Sequence, residues 1–168
     1  MKITDRFVGD HKTFRKLIKD INQIAGQTPE EWDQKRLVRL VELFKDHMIL
    51  HAWGEETFYY PVVASRLPER GPLINKAYMA QMDEEHRIVD STLDLLEKQA
   101  KSTPISEEWT ETYLTFITAL AAHMDREETE LFPFSEGLLG KEGLEQISVE
   151  LEKHRREAPS VRRHASFT

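Results

Sequence analysis

HAWGEETFYYP at residues 51–61 and HMDREETELFP at residues 123–133 share one pattern, His-x-x-x-Glu-Glu-Thr-x-x-x-Pro, repeated 72 residues apart. Residues four apart on an α-helix lie on one face, ~6 Å along the axis. Each copy therefore aims an imidazole and a carboxylate the same way: His51 with Glu55, and His123 with Glu127. A single such pair is weak evidence in a chain with 7 histidines and 30 acidic residues. The shared extension through Thr and Pro carries more weight, and so does the setting of each copy.

That setting is an apolar helical stripe. Segment B, from Pro29 to about Arg66, carries Leu37, Val41, Phe44, Met48, His51, Glu55, Phe58 and Val62 at steps of three or four. Segment D, from Ser106 to about Phe134, carries Tyr113, Phe116, Leu120, His123, Glu127 and Leu131. Each is preceded by a helix with one inward histidine. Segment A, about Thr4 to Ala25, has Phe7, His11, Phe14, Ile18 and Ile21; segment C, roughly Leu73 to Ala100, has Met82, His86, Val89, Leu93 and Leu96. An acid stands directly before each lone histidine, Asp10 and Glu85.

The punctuation fits four helices. Gly26 closes A, and Thr28-Pro29-Glu30-Glu31 is a helix start with Thr as cap, Pro first and Glu third. Pro61 cannot donate to the carbonyl of Thr57, so a kink or an early end is expected there. Residues 67–72 form a turn, residues 101–105 break C, and Ser106 caps D. Gly137 and Gly140 end D, and a short fifth helix runs from about Lys141 to Arg155 with Leu144, Ile147 and Leu151. The expected fold is all-α: an up-down-up-down four-helix bundle over about residues 4–136, with the fifth helix and a basic tail over 141–168, all in one domain of 1–168.

Composition narrows the function. Charged residues are 32%, and 7 Gly and 7 Pro favour helix over sheet. With 0 Cys, disulfides, thiolate zinc sites and cysteine-held iron–sulfur clusters are ruled out. The first residues lack an apolar signal core, and no run approaches the ~18 apolar residues of a membrane span. The chain reads as soluble and cytoplasmic, without a membrane partner. A net charge of −7 argues against nucleic acid. The basic tail, with Arg162 and Arg163, reads as a solvated end.

Burial supplies the physical reason for a metal. His11, His51, His86, His123, Glu55 and Glu127 interrupt stripes that otherwise point inward. Burying one unpaired carboxylate costs several kcal/mol, on the order of the relaxed ion-desolvation penalty. Two carboxylates among four imidazoles call for a cation, and a nitrogen and oxygen donor set suits iron and, less distinctively, manganese or zinc. Counting from the turns at 1.5 Å per residue puts His51, His86 and His123 level within one helical turn. The A–B pair agrees less well: His11 is about 15 residues before the link and His51 about 22 after Pro29. Either the start of B lies outside the main helix, or His47, one turn earlier, competes with His51.

The order lone His, His-x-x-x-Glu-Glu, lone His, His-x-x-x-Glu-Glu-x-x-x-x-Pro resembles the hemerythrin-like (HHE cation-binding) domain over roughly residues 5–135. The resemblance implies a non-haem di-iron centre in a four-helix bundle. In it His11, His51, His86 and His123 would be terminal ligands, and Glu55 and Glu127 would bridge two irons beside an oxo or hydroxo group. Oxygen-carrying hemerythrins have a fifth histidine on the third helix, where this chain has Met82 or Asp90. Their second carboxylate is an Asp at spacing five, where this chain has Glu127 at spacing four. In both respects the chain looks closer to the bacterial hemerythrin-like proteins and the repair-of-iron-centres proteins. An exchangeable position would remain on both metals, which disfavours reversible dioxygen carriage and favours chemistry or sensing.

Four functions are compatible with these features. The first is a sensor or binder of dioxygen or nitric oxide. The second is an enzyme, a di-iron oxidase or a peroxide-decomposing or nitric-oxide-reducing protein, supplied by a redox partner protein. The third is iron storage or donation to damaged centres, and the fourth a metal-free helical interaction module. Ferritin-type Glu-x-x-His and zincin-type His-Glu-x-x-His are absent. Around the six residues, Tyr59 is one α-turn past Glu55 and is expected in core packing, with approach to the metal as the alternative. Glu56 and Glu128, rotated ~100° from the bridging positions, are expected mainly at the surface, with hydrogen bonding to an imidazole as the alternative. Gly54 either makes room beside the site or is tolerated there. Trp32, Trp53 and Trp109 read as packing, and His154 and His164 as solvated.

Overall fold

A computed structural model describes residues 1–160. The described chain is helical: α1 (Ile3–Ala25), α2 (Gln34–Gly54), α3 (Tyr60–Ala64), α4 (Lys76–Lys101), α5 (Trp109–Arg126) and α6 (Phe132–Lys153). Five-residue π-helical turns at Glu55–Tyr59 and Glu127–Leu131 join α2 to α3 and α5 to α6, so these pairs run as two long continuous helices. With α1 and α4 they make four rods. Opposed contacts set their directions: Phe14 stacks on Phe44 while Phe7 meets Tyr59, and Tyr78 binds Glu130 while Glu85 binds His123. Across the other seams Lys45 pairs with Glu97, and His86 with Glu56, while Tyr113 reaches Asn22, and His11 reaches Glu128. Every neighbouring pair is antiparallel, which is the up-down-up-down bundle expected.

Two boundaries differ from the sequence reading. The capping box of Thr28 and Glu31 closes only a 3₁₀ turn, Pro29–Glu31. Trp32 then turns extended, with its ring edge-on to Trp109 at 5.4 Å and its Nε1 donating to Gln27 O at 3.0 Å. Asp33 caps α2 by accepting from Arg36 N. His51 is therefore 17 residues past the start of its helix at Gln34, level with His11. The start of segment B lies outside the main helix, and His47 is exposed. At the other end, Gly137 lies inside α6 and the break falls at Gly140, whose φ of 67° is left-handed. Beyond it, Leu144, Ile147 and Leu151 cover the bundle end as the expected fifth helix.

The core is divided. One apolar cluster holds Phe14, Leu17, Phe44, Met48, Val89, Leu93, Trp109, Phe116 and Leu120; the other holds Phe7, Tyr59, Tyr60, Met82, Leu131, Phe132, Leu144 and Leu151. Along each rod, the six polar residues separate them. Among the described residues, no helix is long and apolar enough to cross a membrane.

Candidate metal centre

The two π turns place the carboxylates. Glu55 and Glu127 each open one, and their carbonyls accept from the N–H groups five residues on, Tyr60 and Phe132. Pro61 and Pro133 come directly after. Neither can donate to the carbonyl four back, Thr57 or Thr129, and a proline ring crowds that carbonyl in a regular α-helix. The register widens ahead of each proline instead of stopping, so the helix passes Pro61 and continues to Ala64. The extra residue also rotates the next turn of helix. Tyr60, not Tyr59, lies one turn past Glu55 on its face. Tyr59 is buried with its hydroxyl donating to Ser135 Oγ at 2.7 Å, whereas Tyr60 donates to Glu127 Oε1 at 2.7 Å.

The structure brings all six sequence-singled residues together in the dry middle of the bundle, none more than 2% exposed. His51 Nε2 and His86 Nε2 each stand 3.2 Å from Glu55 Oε2. His11 Nε2 is 3.2 Å and His123 Nε2 3.6 Å from Glu127 Oε2. Two donor sets result, His11, His51, Glu55 and Glu127, and Glu55, His86, His123 and Glu127, with the donor atoms of each set within 4.8 Å of one another. Donors across an ion with ~2.1 Å bonds span ~4.2 Å, so each set is the size of one ion, and both carboxylates belong to both sets. Four of these buried atoms, His11 Nε2, His123 Nε2, Glu55 Oε1 and Glu127 Oε2, have no hydrogen-bond partner. Leaving such atoms unpaired costs ~1–3 kcal/mol each.

Every imidazole is oriented from outside by a second carboxylate. His11 Nδ1 meets Glu128 Oε1 at 2.7 Å, His51 Nδ1 meets Asp10 Oδ2 at 3.2 Å, His86 Nδ1 meets Glu56 Oε1 at 2.8 Å and His123 Nδ1 meets Glu85 Oε2 at 2.9 Å. A carboxylate on Nδ1 fixes the tautomer that presents Nε2 as a donor to metal. Glu56 stands at the surface and Glu128 is part-exposed, and each also takes the alternative role, reaching the lone histidine of the opposite half. Asp10 and Glu85 reach the histidine of their own half. Their signal in the sequence was the acid before each lone histidine. Arg15 at 2.8 Å from Glu128 and Arg126 at 2.7 Å from Glu85 tie the outer ring to solvent-facing cations.

The chain matches the hemerythrin HHE cation-binding domain over residues 2–135. It belongs to this family. No curated protein and no solved structure matches it significantly. The family's helical bundle and buried His/Glu cluster are both present in this HHE domain, and the unpaired central atoms are where a cation fits. Glu55 and Glu127 are two wholly buried carboxylates, charge that a cation at the centre would offset.

The protein groups alone perturb one another strongly. Burial pushes the His51 imidazole down, but Glu55 and Asp10 outweigh it and hold its pKa at about 10. Burial likewise opposes His86, and Glu55 and Glu56 raise it to about 10. Glu55 is pushed up by burial, yet His51 and His86 hold it well below the usual carboxylate range. Gly54 serves packing: a Cβ there would stand 3.0 Å from Leu151 Cδ1 and 3.3 Å from Phe7 Cε1. Trp53 lies edge-on to Phe58 at 5.1 Å. His154 is half-buried against Phe58, not solvated, with Nδ1 2.9 Å from Glu150 O. His164 and the tail arginines Arg162 and Arg163 lie outside the described residues.

Proposed function

We propose that the chain holds two iron ions and uses them to bind or react with a small diatomic or peroxide ligand, in sensing or detoxification. One ion would be held by His11 and His51, the other by His86 and His123, with Glu55 and Glu127 shared between them. The observation that carries this reading is the pair of buried four-donor sets with two carboxylates in common. Imidazole and carboxylate donors without sulfur suit iron, manganese or zinc; the choice of iron leans on the resemblance to the hemerythrin-like proteins.

Ferrous iron, once bound, would supply the electrons for binding or reducing dioxygen, nitric oxide or peroxide. The residues supply the rest. Four protein donors per ion leave coordination positions for something else. Phe7, Phe14 and Phe132 ring the His11 and His51 side, with centroids 5.2–6.4 Å from those imidazoles, so that side is walled by apolar rings. The outer carboxylates keep Nε2 of each histidine turned inward and unprotonated once an ion is present. Turnover would need electrons from a partner protein.

The test is metal content and spectroscopy of the purified full chain. Two irons per chain, with near-ultraviolet bands of a bridged ferric pair, are expected. Dioxygen or nitric oxide added to the reduced protein then separates a stable adduct from turnover. Less than one iron per chain after anaerobic ferrous loading, with no rise in melting temperature, sinks the reading, because only the folded bundle assembles the donors.

A further inference from the structure

Two matching places beside the centre differ by one oxygen atom. Tyr60 and Phe132 hold matching places, each closing a π turn onto Glu55 or Glu127. Tyr60 stacks on His86 with centroids 5.5 Å apart and planes at 20°; Phe132 stacks on His11 at 5.9 Å and 20°. Only Tyr60 carries a hydroxyl. It is 2.7 Å from Glu127 Oε1, 3.4 Å from Glu55 Oε2 and 3.5 Å from His86 Nε2. Those residues are three of the four that form the His86 and His123 donor set. Neighbouring donors around an ion with ~2.1 Å bonds stand ~3 Å apart. A tyrosine that only hydrogen-bonds a carboxylate needs one such distance; Tyr60 has three, all to donors of one set.

Resting on the two-iron reading, we infer that Tyr60 is a further protein ligand, through its phenolate oxygen, to the ion held by His86 and His123. The two ions then have different donor sets, and the side beside Phe132 keeps the more open one. On ligation the phenolic O–H bond gives its proton to solvent and the oxygen bonds to the ion; no electron moves. The other tyrosines are engaged elsewhere: Tyr59 with Ser135, Tyr78 with Glu130 and Tyr113 with Asn22.

The test loads the full chain with ferric iron and compares it with Tyr60→Phe and Tyr59→Phe. Visible absorption and resonance Raman detect a phenolate-to-iron charge-transfer band with tyrosine ring modes, and iron per chain is measured alongside. The band is expected in the parent and in Tyr59→Phe. Its loss is expected in Tyr60→Phe, which imitates Phe132 and should keep its two irons. A parent with two irons and no tyrosine-enhanced modes overturns the inference without any variant, and leaves the two-iron reading standing. So does a band that survives in Tyr60→Phe. A parent that holds no iron overturns both. If Tyr60→Phe does not fold, a parent band that persists in Tyr59→Phe supports the inference.

Discussion

The turn at Glu55–Tyr59 and the turn at Glu127–Leu131 do the same geometric work on opposite sides of the bundle. Each widens the helix before a proline, sets a shared carboxylate in the centre and sends the next acid across to the other half's lone histidine. Their surroundings differ. The first turn brings a tyrosine to the centre and is roofed by the end of α6; the second brings a phenylalanine. On the two-iron reading, the common part would serve two like ions, and the differing part is where they would be made unlike. Duplicated geometry with unduplicated lining would then give one bundle a holding side and an open side.

The largest effect is expected where the halves are not separable. Glu127→Ala removes a donor from both sets, so bound metal should fall from two ions per chain toward none, a loss in affinity above the ~100-fold seen for groups that only orient ligands. His51→Ala removes a donor from one set and should strip its own side first, leaving close to one ion. Metal analysis after gel filtration against a mild chelator reads the difference. Equal, complete loss in both variants would mean that neither side binds alone, and the comparison between halves would lose its meaning.

Next come the outer carboxylates. Glu56→Gln and Glu128→Gln should each weaken metal binding about 10–100-fold, Glu56→Gln the less, since the contacts to His86 and His11 are 2.8 and 2.7 Å but the Glu56 side chain is 45% exposed against 27% for Glu128. Asp10→Asn should cost less than Glu85→Gln, because Asp10 is 3.2 Å from His51 with a side chain 37% exposed, against 2.9 Å and 20% for Glu85. Chelator competition orders the four. An Asp10 effect larger than the Glu85 effect would show that distance and exposure do not rank these contacts.

Much of this was legible in the sequence, for one reason: polar residues at helical spacing on apolar stripes have nowhere to go but inward. His11, His51, Glu55, His86, His123 and Glu127 were all visible that way, and so was the bundle. What escaped depends on events a constant 3.6-residue period does not contain. Tyr59 packs in the core as expected, but Tyr60 reaches the centre unforeseen because the turn after Glu55 takes five residues. Glu56 and Glu128 do stand toward the surface, as their helix faces dictate; which histidine each reaches did not follow, because those partners sit on other helices. The start of α2 was misplaced because a satisfied local capping box at Thr28 was overridden by Trp32 packing on Trp109.

A smaller, graded effect should separate the Glu55 side by pH. His51 and His86, the two imidazoles 3.2 Å from Glu55, hold protons to about 10 in the protein alone. A folded-state pKa raised above ~6.5 adds stability that is complete below that pH and is lost as pH climbs through the folded value. The metal-stripped chain should therefore melt progressively lower from pH 7 toward 10. The same protons must leave before an ion binds, so the gain in melting temperature on loading should grow over that range. Melts of stripped and loaded protein at stepped pH check both. With His51→Gln the downward trend in the stripped form should weaken; an unchanged slope would remove His51 from the account.

The smallest effect concerns the roof. The residue just before each shared carboxylate is Gly54 in one half and Arg126 in the other. Arg126 faces outward and pairs with Glu85, so its position has room for a long side chain. Gly54 is pressed by Leu151 from α6 and by Phe7, whose ring is in turn edge-on to His51 at 5.4 Å. Alanine there gains ~1 kcal/mol of helix propensity. Against that, the new methyl must move Leu151, which can swing, and Phe7, which is held among His51, Tyr59 and Phe132 and cannot. Overpacking of this kind costs ~1–3 kcal/mol, so Gly54→Ala should destabilise by about 1 kcal/mol, a drop of ~2–4 °C in melting temperature. Adding Leu151→Ala should recover part of the strain even though that change alone opens a cavity. If the two substitutions proved simply additive, α6 would not be pressing on this half, and the contrast with Arg126 would reflect only the helix surface.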